Sequence, residues 1–196
     1  WVRDILEKGA DWFAGHGRHG RKGLRSFSVS GRVQKPGVHL APAGITVKEL
    51  IAEYCDGMLP GHEFYGYLPG GASGGILPAS LGDVPLDFDP LHPYGCFIGS
   101  AAVIILSDRD KASGAARNVM KFFAEESCGK CAACKTGTMR QYDILQRMIA
   151  GKMEPGDLEQ LNDTAWTDPT ESICGVGQMA ATPILSAMKH WPEIFR

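Results

Sequence analysis

The sequence predicts an α+β protein, with a small β-grasp unit followed by a bundle of helices. Three observations carry that expectation. Phe27, Val29, Gly31 and Val33 alternate with polar residues, as a half-buried strand does. Thr46-Val47-Lys48-Glu49 is a capping box, with Thr at the N-cap and Glu at N3, so a helix follows the first strands. Beyond Asp108 the apolar residues recur at helical spacing.

Taken in order, residues 1–24 read as a linker. A short helix is expected at Trp1–Leu6, anchored by Trp12 and Phe13. GHGRHGRKG, Gly15 to Gly23, contains a literal G-x-G-x-x-G at Gly15, Gly17 and Gly20. The dinucleotide fingerprint needs a strand before it and a helix opening on it, whereas here a strand follows. The stretch therefore reads as a mobile basic loop, with His16, Arg18, His19, Arg21 and Lys22 suited to an anionic neighbour.

Lys35-Pro36-Gly37 is turn chemistry, because Pro presets one φ and Gly accepts a positive one. Val38–Leu40 is expected to return as the second strand of a hairpin, and the capped helix to run to about Tyr54. Phe64–Leu68 reads as another strand and Cys96–Leu106 as the last. Between them PGGASGG, Pro69 to Gly75, lacks the Lys-Ser/Thr ending of a phosphate loop and reads as a tight turn or a close backbone approach. These strands delimit a domain at 25–108, with a helical domain at 109–196.

In that second domain Val119, Met120, Phe122 and Phe123 form one stripe. Met139, Tyr142, Leu145, Met148 and Ile149 form the next, with Gly151 as its stop. Leu158, Leu161 and Ala165, then Ile184, Leu185, Ala187, Met188 and Trp191, suggest two more helices. All four stripes read as core.

Composition narrows the function classes. The chain has 196 residues and a net charge of -2, which gives no nucleic-acid footprint. Its longest apolar run, Ala101–Leu106, suits a buried strand and is far too short to span a membrane. No basic-then-apolar leader opens the sequence, and a start at Trp1 leads to the expectation that further sequence precedes it. The six cysteines are clustered rather than spread as a disulfide framework, which favours a reducing, cytoplasmic compartment. No Ser/His/Asp set, carboxylate pair or HExxH spacing stands out.

The cluster itself is ESCGKCAACKTGT, Glu126 to Thr138, with Cys128, Cys131 and Cys134 at a spacing of three. Zinc usually takes two CxxC pairs, or one pair with distant histidines. CxxCxxC lets three thiolates from one loop reach three corners of a cubane, with a distant fourth cysteine, as in [4Fe–4S] proteins. A zinc-stabilised interaction module is the rival reading, and the spacing favours iron. Cys55, Cys96 and Cys174 compete for the fourth position. Cys174 is chosen because it lies in the helical half, in Ser172-Ile173-Cys174-Gly175-Val176-Gly177, where two glycines free the backbone to wrap a large inorganic centre. Gly129 and Gly137 are expected to serve the first loop likewise. Lys130, Lys135 and Arg140 stand near as cations that would favour a reduced centre.

At ESCGKCAACKTGT the chain resembles the FMN- and NADH-binding flavoprotein subunit shared by respiratory complex I, NAD-linked hydrogenases and NAD-dependent formate dehydrogenases. That family carries E-S-C-G-x-C-x-P-C-R-x-G and one more Cys in a Gly-containing loop. Cys128, Cys131, Cys134 and Cys174 match those positions, while Ala133 stands for the usual Pro and Lys135 for the usual Arg. FSVSGRVQKPGVHLAPAGITVKELI resembles the family's SLBB domain, a β-grasp unit, so the resemblance runs from about Phe27 to the end. The segment from Tyr67 to Asp108 is most similar to the β subunit of the molybdenum-containing, soluble formate dehydrogenases, and its GGASGG also resembles the hydrogenases.

The resemblance implies a relay of single electrons through a [4Fe–4S] cluster, between FMN and NAD(H) on one side and further iron–sulfur centres on the other. It places the FMN and NADH fold upstream of Trp1, with residues 1–24 as the linker from it. It implies as partners that flavin domain, a thioredoxin-like [2Fe–2S] subunit and a molybdenum-containing or other catalytic iron–sulfur subunit.

Overall fold

The computed structural model describes residues 1–195. Two short helices, α1 (Val2–Lys8) and α2 (Ala10–Ala14), open the chain. They are followed by β1 (Leu24–Gly31), β2 (Gly37–Pro42) and α3 (Val47–Tyr54). Next come β3 (Phe64–Leu68), β4 (Leu77–Pro78) and β5 (Ala102–Ser107). The five strands form one sheet in the order β2-β1-β5-β3-β4. β1 and β2 are an antiparallel hairpin, and β5 lies parallel to β1 and antiparallel to β3. A hairpin, a helix and a final strand inserted at the sheet's centre make the β-grasp arrangement the sequence predicts.

The capping box sets α3. The Thr46 hydroxyl accepts from the Glu49 N–H, and the Glu49 carboxylate accepts from the Thr46 N–H at 2.8 Å. Val47, Leu50 and Ile51 then face Phe27, Val29, Tyr67, Val103 and Ile105 across one side of the sheet. Strand alternation, with an irregularity in β3 between Phe64 and Gly66, turns Tyr65, Leu68, Ile104 and Leu106 to the other side, where they meet the helical half. Both faces of β5 are therefore covered.

That helical half contains α4 (Ala112–Glu126), α5 (Ala132–Ile149), α6 (Asp157–Asn162), α7 (Gly175–Met179) and α8 (Thr182–His190). Its core gathers Ala116, Met120 and Phe123 of α4, Ile144 and Leu145 of α5 and Ile184 and Ala187 of α8. α5 ends in a Schellman motif: the Gly151 N–H bonds to Met148 O, the Lys152 N–H to Arg147 O, and Gly151 takes a φ of 67°.

Several expectations are corrected. Val33 lies beyond β1 and makes only an isolated bridge to Met58. The last strand begins at Ala102 rather than Cys96, because Gly95, Gly99 and Ala101 all take positive φ and turn the chain first. α6 stops at Asn162, and Ala165 belongs to a separate 3-10 turn. Phe122, Met139 and Ile149 are 49%, 48% and 44% exposed, so they are not core. α5 instead buries Cys134, Gly137, Thr138 and Gln141 along with Ile144 and Leu145.

The basic loop is not free. Arg18 grips Glu53 through two hydrogen bonds of 2.7 and 2.8 Å, His19 meets Glu49, and Arg21 pairs with Asp89. Its anionic neighbour is the sheet half of the same chain. PGGASGG is a close backbone approach, as expected: a Cβ on Gly70 would lie 2.3 Å from the Phe97 carbonyl oxygen.

Candidate metal centre

Two short segments build the site. The first runs from the end of α4 into α5. Ser127 is the C-cap of α4, and its N–H bonds to Phe123 O. Gly129 turns the chain with a φ of 75°, a conformation that disfavours any side chain. Cys131 is the N-cap of α5, and Cys134 lies in that helix's first turn. The second segment is the loop before α7, where Cys174 is the N-cap.

Cys128, Cys131, Cys134 and Cys174 line one cavity of about 280 Å³ together with Glu126, Ser127 and Ile173. The structure thus brings together all four cysteines proposed from sequence. Cys134 is buried, Cys131 half-buried, and Cys128 and Cys174 exposed. The Ile173 N–H donates to Cys131 Sγ at 3.5 Å and stitches the two segments to each other. Ser127 Oγ stands 3.3 Å from Cys134 Sγ.

A packed column seats the second segment on α5. Gly137 lies inside the helix, not in the first loop, and a Cβ there would fall 2.3 Å from the Trp166 ring. The Ser172 hydroxyl donates to Trp166 O at 2.7 Å, and Gln178 Nε2 donates to Ser172 O at 2.8 Å. A Cβ on Gly177 would meet Ser172 Oγ at 2.5 Å and Cys134 Cβ at 3.1 Å. Glycine at 137 and 177 is what lets Trp166, Ser172 and Cys134 come this close. Trp166, Ser172 and Gln178 were not singled out from sequence. Trp166 carries no periodic signal, and only the adjacency of Ser172 to Ile173-Cys174 hints at its place.

Charge around the cavity is mixed. Cys131 stands as the N-cap at the positive end of α5, without a side-chain hydrogen bond to the helix. Lys135 donates to Ala124 O at 2.6 Å and so caps the last turn of α4. Arg140 pairs with Asp163 at 3.1 Å.

The other two cysteines belong elsewhere. Cys55 and Cys96 are buried in the core shared by α3 and the sheet. Burial pushes their thiols up to about 11 and about 12, which keeps them protonated and poor ligands. One further constellation forms in space: the Ser107 hydroxyl lies 2.9 Å from His62 Nδ1 and 3.3 Å from Asp110. It is structural, because Ser107 is fully buried and Asp110 bonds the serine and Arg32 rather than the histidine.

The residues fit a centre several atoms across. Four thiols line one cavity of about 280 Å³, which has room for more than a single ion.

Residues 114–196 match the model of the NADH-ubiquinone oxidoreductase-F iron-sulfur binding region. Nearly the whole chain aligns with an NADH-quinone oxidoreductase subunit of Rhizobium meliloti, 36% identical over 194 residues, which is 99% of this chain and 46% of the relative. The corresponding NADH-quinone oxidoreductase subunit of Streptomyces coelicolor is 37% identical over 192 residues, 98% of this chain and 42% of the relative. The crystal structure of an NAD+-reducing [NiFe]-hydrogenase in the air-oxidised state superposes with a TM-score of 0.82 at 26% identity, covering 99% of this chain and 33% of the hydrogenase chain. The chain spans less than half the length of these curated relatives. No helix of the described residues is long and apolar enough to cross a membrane.

Proposed function

We propose that Cys128, Cys131, Cys134 and Cys174 hold a [4Fe–4S] centre, and that the chain serves as an electron-relay segment of an NAD-linked oxidoreductase. One observation carries this reading: four cysteines from two separate segments face one cavity, inside a stretch that matches the model of an iron-sulfur binding region. When bound, such a centre supplies one-electron steps beside a flavin that handles two electrons. The chain's own contribution is to hold the thiolates, seat them against α5, and supply N–H and O–H donors to two of them.

The same proposal sets the division of labour. Residues 25–108 form the β-grasp domain, 109–196 the cluster domain, and 1–24 the linker. FMN and NAD(H) bind outside this chain's 196 residues, on an upstream flavin domain. A thioredoxin-like [2Fe–2S] subunit and a molybdenum-containing or other catalytic iron–sulfur subunit complete the assembly, in the cytoplasm. The parent is read as an NAD-dependent formate dehydrogenase on the sequence of residues 67–108 alone. The quinone oxidoreductase and hydrogenase relatives favour complex I or an NAD-linked hydrogenase as the second reading of the parent.

Metal and sulfide analysis of anaerobically purified protein, with EPR after dithionite, tests the relay. About four irons per chain and a cubane-type signal are expected, both lost or altered in Cys174→Ala. Zinc without a signal would instead mark a structural interaction module. Formate-, hydrogen- and quinone-linked NAD(H) turnover by the full assembly separates the parents.

A further inference from the structure

Two cysteines of the site have a hydrogen-bond partner at sulfur, and the two partners differ in kind. Cys131 Sγ takes the Ile173 backbone N–H, which no substitution removes cleanly. Cys134 Sγ faces the Ser127 hydroxyl at 3.3 Å. Ser127 is 9% and Cys134 6% exposed, so water competes little for either group. Both ends of the pair are held by backbone. Ser127 is fixed as the C-cap of α4, whose last turn Lys135 ties to α5, and Cys134 is fixed in the first turn of α5.

In the free protein either atom can donate, because a thiol carries its own proton. Ligation removes that freedom. A metal-bound cysteine is a thiolate and only accepts, so the hydroxyl must donate to it. A donor aimed at an anionic sulfur in a buried place is stronger than one between neutral groups. It draws electron density from the sulfur and favours the more negative, reduced centre, which raises the reduction potential.

We propose that Ser127 is a positioning residue of the metal centre, whose hydroxyl donates to the Cys134 thiolate and raises the centre's reduction potential. This inference rests on the iron–sulfur reading above.

The test compares wild type, Ser127→Ala and Ser127→Thr in the intact protein, with iron counted first and the midpoint potential then read by EPR-monitored titration. The expected result is equal iron in all three, a lower potential in Ser127→Ala, and a potential near wild type in Ser127→Thr. An unmoved potential in iron-replete Ser127→Ala overturns the inference, as does an equal shift in Ser127→Thr. Should Ser127→Ala hold too little iron to titrate, Ser127→Thr is compared with Ser127→Val, which shares its shape and lacks the hydroxyl. A lower potential in the Val variant supports the inference, and equal potentials overturn it. Loss of iron from every variant assigns Ser127 a structural role and also overturns it. Wild type without iron is a separate failure, that of the iron–sulfur reading itself.

Discussion

On the α3 side of the sheet the interior is apolar almost throughout, with Val47, Leu50 and Ile51 against Phe27, Val29, Val103 and Ile105. On the helical side α5 turns Gly137, Thr138 and Gln141 inward beside Cys134. Those polar groups are paired within the helical half, except that the buried Gln141 Oε1 has no partner. The Thr138 hydroxyl donates to Cys134 O at 2.9 Å, and Gln141 Nε2 donates to Leu161 O at 3.2 Å. The first core needs nothing beyond its own side chains, at roughly 1.5–3 kcal/mol for each large apolar group buried. The second has an apolar core of its own, with Met120, Phe123, Ile144, Leu145 and Ile184, and beside it a cavity lined by four thiols. One half is closed on its own side chains, while the other leaves a thiol-lined space at its edge.

Four measurements would break or sharpen that contrast. The largest effect is expected from stripping iron from the loaded protein with a chelator. Hydrogen exchange should rise sharply across 127–138 and 163–179, a loss on the order of several kcal/mol of local stability, while β1 and β5 keep their protection. Equal loss in the sheet would show the halves to be one cooperative unit. Next comes Gly137→Ala, whose new methyl must push Trp166 aside. It should cost ~1–3 kcal/mol and lower iron occupancy, read by thermal melting and iron counting. Thr46→Ala removes one half of the α3 capping box and should cost about 1 kcal/mol with iron content unchanged.

The smallest effect concerns acid. Hydrogen bonds from Arg32 hold the Asp110 carboxyl down at about 2. A depressed carboxylate contributes stability that is complete above its ordinary value and is lost as pH falls through the depressed one. Arg32→Ala should therefore be less stable than wild type at pH 7, with the gap closing between about pH 4 and about pH 2. Chemical denaturation across that range reads it, and a gap that stayed constant with pH would remove Asp110 from the explanation.

The contrast also explains what was legible in the sequence. Strand alternation and the capping box are local, and β1 and α3 form where they predict, although β1 stops short of Val33. Cys174 lies on the same cavity as the other three cysteines, but Gly175 and Gly177 belong to α7 rather than to a wrapping loop, and only Gly177 packs closely, against Ser172 and Cys134. Met139 and Ile149 misled because they copy a core stripe while Thr138 and Gln141, polar in sequence, take the buried face. The basic loop's need for an anionic neighbour was legible, but not which one, because its partners Glu53 and Asp89 stand 35 and 68 residues further along the chain. No periodicity reports such long-range pairing.

β5 has one more consequence. Val103 and Ile105 belong to one interior, Ile104 and Leu106 to the other. A gene trimmed after Asp108 would still encode every strand, yet its product would carry Tyr65, Leu68, Ile104 and Leu106 bare on a flat, hydrophobic wall. Such a fragment is expected to stick to copies of itself. Any truncation meant to stay monodisperse has to keep α4 and α8 or replace that row with charged side chains.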